Sequence, residues 1–221
     1  IIVGIMSIVS VLPVMTWIRD MFYRHEDAGM YDSLSLGFAL GTAEQWFIAS
    51  SAALFCLVFL SAGGFAWGPV KVMAFYGFFT FNSALFSYFG QFFVSVVKDA
   101  KAAMILAGVY IGINNLFAGL IILPQQMIGT PYVVTYYITP VHYVFEGEIA
   151  SIMDNDQRNV TATPNSAFYD FLIAEGKCYE GQDFPCKGYQ SDYIAYFFGG
   201  DFSSDHIGRN AIILGVLLVV V

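Results

Sequence analysis

From its first residue the chain alternates long uncharged apolar runs with short charged interruptions. Residues Ile1–Ile18 carry no charge and stop at Arg19-Asp20. A polar stretch follows to Asp32, and a second apolar run extends from about Leu36 to Ala62, with Glu44 near one end. Gly63-Gly64 and Trp67-Gly68-Pro69 read as a short turn carrying an interfacial tryptophan. Residues Val72–Val97 are again uncharged, between Lys71 and Lys98. The run Ala102–Phe145 is too long for one crossing, and Pro124, Pro131 and Pro140 divide it. It predicts one helix, Ala102–Leu123, followed by short broken or re-entrant helices over Pro124–Ile152. A polar, loop-like stretch runs from Asp154 to about Asp205, and a last apolar run begins at Ile207.

A spanning helix needs about 20 apolar residues, because lipid offers no partner to an unpaired backbone group. The pattern therefore predicts an all-α membrane protein, a polytopic helix bundle with re-entrant helices and a large external loop. Its spans are expected at 1–18, 36–62, 72–97, 102–123 and 207–221, with a polar loop at 19–33 and the re-entrant segment and external loop at 124–205. The chain starts at Ile1 without Met and stops at Val221 inside an apolar run, so residues 1–221 are expected to be a fragment. No basic n-region marks a signal peptide at its start.

Short-loop cations set the orientation. Arg19 and Arg24 share one loop and Lys98 and Lys101 another, two spans apart and so on one side, whereas the intervening turn has only Lys71. The first pair is expected to be cytoplasmic, and the loop 154–205 extracellular or lumenal. Two features of that loop fit. Asn159-Val160-Thr161 is a glycosylation sequon, used only on the lumenal side. Cys178 and Cys186 share the loop and would form a disulfide in an oxidising compartment, free surface thiols being the alternative. Cys56 lies within an apolar span, where it packs.

Composition narrows the function classes. Hydrophobic residues make up 57% of the 221 and charged residues 12%, against about 25% charged in an ordinary soluble domain. The formal charge of −8 gathers mostly in one late segment, and no basic stripe exists to meet nucleic acid. No GxxxxGK[ST], GxSxG or HExxH occurs, and His25, His142 and His206 fall in three segments without metal-ligand spacing. The expectation is no catalytic residue, no metal and no cofactor in this chain.

Polar groups within spans remain. Glu44 is either a contact to a neighbouring helix or a coupling element, or an acid reaching the interface. Asn114-Asn115 is expected to face a cavity or a helix interface. Gly37-x-x-x-Gly41 and Gly108-x-x-x-Gly112 would permit close helix approach. Glu146 and Glu148 are expected where the re-entrant segment returns to water.

Several segments are more specific. Phe22-Tyr23-Arg24-His25-Glu26-Asp27-Ala28-Gly29-Met30-Tyr31 resembles the FYRE-x-x-x-G-M-Y element of the G-subfamily, or pleiotropic drug resistance, ABC transporters. Asn115–Ile121 resembles that family's N-L-F-S-G-F-I-I helix end, Ile138–Tyr143 its C-P-V-x-W/Y segment, and Asp192-Tyr193 with Phe197-Phe198-Gly199 its D-Y-x-x-x-x-F-G lead into the last helix. The resemblance implies a type 2 ABC transporter transmembrane domain, with the nucleotide-binding domain, its ATP and its Mg outside this sequence. It implies that Arg19, Phe22, Tyr23, Arg24, Glu26, Gly29 and Tyr31 belong to a region that couples to the ATPase domain. Met6, Ser10, Gly108, Gly112 and Asn115 would line a substrate cavity, and Leu120 and Ile121 would close its outer end. The implied partners are membrane lipid, the ATPase domain and a second transmembrane half, as a homodimer or in a full-size chain. The implied function is ATP-driven, alternating-access export of hydrophobic, amphipathic or lipid-like substrates, expected at a plasma membrane; the alternative is a channel or secondary transporter without ATP coupling. Two departures stand out: Glu44 is followed by Gln45-Trp46 and not Ile-Pro, and Met6 stands where some drug exporters carry Phe.

Overall fold

The computed structural model describes residues 2–64, 68–127, 129–153, 158–164, 166–179, 186–199 and 202–220. Trp67, Asp154, Gly181 and Pro185 lie outside the described residues. Four long helices come first: α1 (Ile2–Asp27), α2 (Ser33–Gly63), α3 (Pro69–Val96) and α4 (Ala100–Phe117). Three short ones follow, α5 (Pro124–Met127), α6 (Val133–Ile138) and α7 (Pro140–Met153). A small subdomain holds β1 (Asn159–Ala162), α8 (Ala167–Ala174), β2 (Cys186–Tyr189) and α9 (Gln190–Phe198), and α10 (Ile207–Val220) ends the described chain.

Local chemistry sets the boundaries. Helix α1 does not stop at the first charges: Arg19–Asp27 continues it, because no Gly or Pro interrupts those residues and straight-chain side chains are good helix formers. The expected loop at 19–33 is thus mostly helix, and the true turn is only 28–32. Gly29, at φ +67°, ends α1: its N–H bonds Glu26 O at 2.9 Å and the Met30 N–H bonds His25 O at 3.0 Å. This paired closure is the Schellman pattern, which needs a left-handed residue. Asp32 then caps α2, its carboxylate accepting from the Ser33 N–H at 2.8 Å. Pro69 opens α3 at its first turn, where a missing N–H costs nothing. Asp99 caps α4.

By length and composition α1, α2 and α4 can cross a membrane. Helix α3, expected as a span, is longer than α4 yet less apolar, because Asn82, Ser83, Ser87 and Gln91 interrupt its phenylalanines. It is the centre of the bundle, packed by α1, α2, α4, α7 and α10. Helix α10 is a shorter apolar helix of 14 residues. Close approach comes from glycines outside the expected pairs. A methyl on Gly4 or Gly147 would overlap the Phe86 or Phe78 ring, and one on Gly90 would lie 3.1 Å from Ile8 Cγ1. Of the expected small-residue pairs, Gly41 lies near the Tyr88 hydroxyl, whereas a methyl on Gly37, Gly108 or Gly112 would have no neighbour within 4 Å among the described residues.

The polar stretch after Met153 is not only loop. Strands β1 and β2 pair antiparallel, Asn159 opposite Tyr189 and Ala162 opposite Cys186. Phe168, Leu172 and the Cys178–Cys186 disulfide fill the space beneath them. The Asp192 carboxylate accepts from the Tyr189 N–H at 2.9 Å and pairs with Lys177 Nζ at 2.6 Å. So few residues cannot bury much apolar surface, and a cross-link adds what the core lacks.

Candidate functional site

Two ends and one face of the bundle carry the residues singled out by sequence. Arg158 Nη1 donates to Gly64 O at 3.3 Å, placing the β1–β2 subdomain at the same end as the α2–α3 turn. At the opposite end stand the α1–α2 turn and the α3–α4 joint. Arg19 joins these two: Nη1 donates to Val94 O at 2.8 Å and Val97 O at 2.7 Å, and Nη2 to Lys98 O at 2.8 Å. Phe22 and Tyr31 rings lie 5.9 Å apart, and His25 Nδ1 meets the Tyr31 hydroxyl at 2.8 Å. Tyr23, Arg24, Glu26 and Gly29 are exposed. The hairpin is therefore braced from within, with a polar and aromatic rim turned outward.

Met6 and Ser10 occupy an exposed face of α1, and Gly108 and Gly112 an exposed face of α4, a helix packed on α1. Met6 is 63% exposed, and both glycines open onto unfilled space. Asn115 is half-buried, its amide donating to Ile111 O at 2.9 Å, one turn back on its own helix. Asn114 does likewise to Tyr110 O at 2.8 Å, leaving its buried side-chain oxygen without a hydrogen bond. Leu120 and Ile121 do not lie on α4 as expected. The helix ends at Phe117 and Gly119 takes φ +92°, so both sit in the following turn, 51% and 62% exposed. The turn is held inward by Ala118, wholly buried, and by Tyr136, which faces Gly119.

Glu44 touches α3, where its Oε2 accepts from Gln91 Nε2 at 2.6 Å. One residue on, Gln45 Nε2 donates to the Tyr88 hydroxyl at 2.7 Å. Asn159 is exposed at the head of β1.

One expectation is reversed. Glu146 does not mark a return to water: it is 1% exposed, inside the bundle between α7 and α10. Its Oε1 lies 2.9 Å from His206 Nδ1 and accepts from Arg209 Nη2 at 3.4 Å, while His142 Nε2 stands 3.7 Å from Oε2. Two histidines remote in sequence thus meet one carboxylate. The reversal has a physical reason: a buried charge needs partners, and these come from a segment about sixty residues later. The one local signal was the His142/Glu146 spacing of one helical turn. Among the described residues no group of His, Cys, Asp and Glu could hold a metal ion.

Known proteins give this arrangement its context. Residues 1–153 match the ABC-2 type transporter family. Over 149 residues, 67% of this chain, it is 30% identical to ABC transporter G family member 31 of Oryza sativa subsp. japonica and 32% identical to ABC transporter G family member 35 of Arabidopsis thaliana. It is 28% identical over 148 residues to Pleiotropic drug resistance protein 1 of Nicotiana tabacum. The chain spans about a tenth of the length of these relatives. A bundle of long apolar helices matched over more than two thirds of its residues by that model has one reading: the chain is an integral membrane domain of the ABC-2 type transporter family, related to the G-family ABC transporters.

Proposed function

We propose that this domain forms half of the path of an ATP-driven exporter for hydrophobic, amphipathic or lipid-like substrates. The observation that carries the reading is the α1–α4 face. Met6 and Ser10 on α1 and Gly108 and Gly112 on α4 are exposed positions of two apolar helices packed on each other, and as one strip they would offer a substrate small, polar and adaptable surface. A second transmembrane half, a second copy or its counterpart in a full-size chain, would close the path across that strip. Leu120 and Ile121 would narrow its outer end.

The exposed rim of the α1–α2 hairpin would dock on a nucleotide-binding domain elsewhere in the transporter, where ATP and Mg would bind. The work would be alternating access, with no covalent chemistry in this domain. The β1–β2 subdomain would then lie outside the plasma membrane. The Cys178–Cys186 bond and an exposed Asn159 within a glycan sequon suit that side.

The test is transport by the whole transporter in sealed vesicles, using a fluorescent phospholipid and a fluorescent cationic amphipathic dye. ATP-dependent movement of either, reduced about tenfold by Gly108→Trp, is expected for a path lined by α4. Flux that persists without ATP would instead identify a channel or secondary transporter. Enzymatic deglycosylation should sharpen the gel band of wild type and leave Asn159→Gln unmoved.

A further inference from the structure

We propose that Arg19 is a positioning residue, a strut that carries movement of the α1–α2 hairpin into α3 and α4 and makes no contact with the ATPase domain. The inference rests on the docking of the hairpin proposed above. It starts from where the guanidinium points. Arg19 sits on the stretch of α1 that leads to the hairpin, among exposed side chains, yet its own side chain is only 15% exposed. It runs inward to Val94 O, Val97 O and Lys98 O at 2.7–2.8 Å. Asp20 is the only nearby acid that pairs with it among the described residues, at 3.7 Å and 65% exposed, so the carbonyls hold it and not a carboxylate.

Those carbonyls belong to the place where α3 stops. The last turn of any helix leaves carbonyls without a backbone partner, and the helix dipole puts partial negative charge there. Residues 97–99 are all that separates α3 from α4, whose first turn Asp99 caps. One planar cation therefore grips the end of the central helix and the joint leading to a helix of the proposed cavity. A guanidinium spreads its donors over a rigid fork and can serve several acceptors at once, whereas an ammonium acts as a point charge.

The consequence is mechanical. Helix α3 is packed by five other helices, so its end cannot be displaced alone. If the hairpin moves with the ATPase domain, Arg19 drags the α3–α4 joint along, and α4, which carries Gly108 and Gly112, tilts against α1. Without the grip, the hairpin would still dock and ATP would still be hydrolysed, but the motion would reach α4 only through apolar contacts that can slide.

The experiment uses the complete transporter in sealed vesicles and compares wild type with Arg19→Lys and Arg19→Gln. Three quantities are read: ATP hydrolysis, dye moved per ATP hydrolysed, and copper-catalysed air oxidation of Tyr23→Cys, introduced into all three proteins, to a disulfide with a second cysteine introduced on the ATPase-domain surface. The expected result is cross-linking in all three proteins and hydrolysis retained. Dye moved per ATP should fall about tenfold in Arg19→Gln and nearly as far in Arg19→Lys, whose charge is kept but whose fork is lost. Cross-linking with an unchanged ratio in both variants overturns the strut alone. No cross-link in wild type overturns hairpin docking and the strut with it. If neither variant yields folded protein, Arg19 is a stability residue and the proposal falls.

Discussion

The Glu146 cluster allows a graded perturbation whose order follows from geometry. Its carboxylate is 1% exposed and faces His206 at 2.9 Å, Arg209 at 3.4 Å and His142 at 3.7 Å. Glu146→Ala removes the acceptor and leaves a buried imidazole and the inner end of Arg209 facing a void. Loss of a buried hydrogen-bond acceptor together with the cavity left by the side chain costs about 2–5 kcal/mol. Glu146→Gln keeps the volume and one acceptor oxygen but gives up charge assistance, and an amide for a carboxylate costs about 1–3 kcal/mol. Arg209→Gln is the mildest, because Arg209 is 53% exposed and its share is screened by water; about 0–1 kcal/mol is expected. The predicted order of loss is therefore Glu146→Ala, then Glu146→Gln, then Arg209→Gln. Thermal survival of the detergent-solubilised full transporter, read by fluorescence-detected size exclusion, gives that order directly. If Arg209→Gln is as damaging as Glu146→Ala, the pair is dominated by the arginine and the buried-carboxylate account is wrong. A Glu146→Ala protein as stable as wild type would remove the cluster from the fold's supports altogether.

Two further perturbations test the packing. Gly147→Ala sets a methyl into the Phe78 ring and should cost about 1–3 kcal/mol as overpacking; Phe78→Leu should recover part of it, and strictly additive losses would show that the two do not touch. Gly29→Ala, at φ +67°, should lower stability by about 1 kcal/mol and loosen the hairpin, seen as faster hydrogen exchange over residues 25–32. Exchange unchanged there would mean the α1 terminus does not need its left-handed residue.

What the sequence could disclose of the fold depended on how each helix meets its surroundings. Helices α1, α2 and α4 turn much of their surface outward, so their apolarity is continuous and their length could be counted. Helix α3 is enclosed by protein, and there Asn82, Ser83 and Ser87 can be buried without exposing a polar group to lipid. Its absence of charge still outlined it, but nothing in that run indicated that it is the hub. The end of α1 is not marked by its first charges, which bound the uncharged run and not the helix. Helix-forming residues continue past them until Gly29 ends the helix. The small sheet was missed for a similar reason: four-residue strands held by a disulfide leave little periodicity in a polar segment.

The residues of the candidate site were legible in proportion to how local their chemistry is. Gly29 and the aromatic rim of the hairpin could be found because a turn and its neighbours are written in consecutive positions. The contacts of Arg19 are not readable in this way, since the carbonyls it holds lie more than seventy residues away. Carbonyls also have no signature in sequence, every residue having one. Glu146 is the same problem with side chains: two of its three partners enter from beyond the β1–β2 subdomain. A charge inside an apolar run nevertheless has a fixed meaning. It cannot stay buried unpaired, so the correct inference from Glu146 was a search for its partners and not for water. His206, just before the last apolar run, and Arg209, the third residue of that run, are the basic side chains available there.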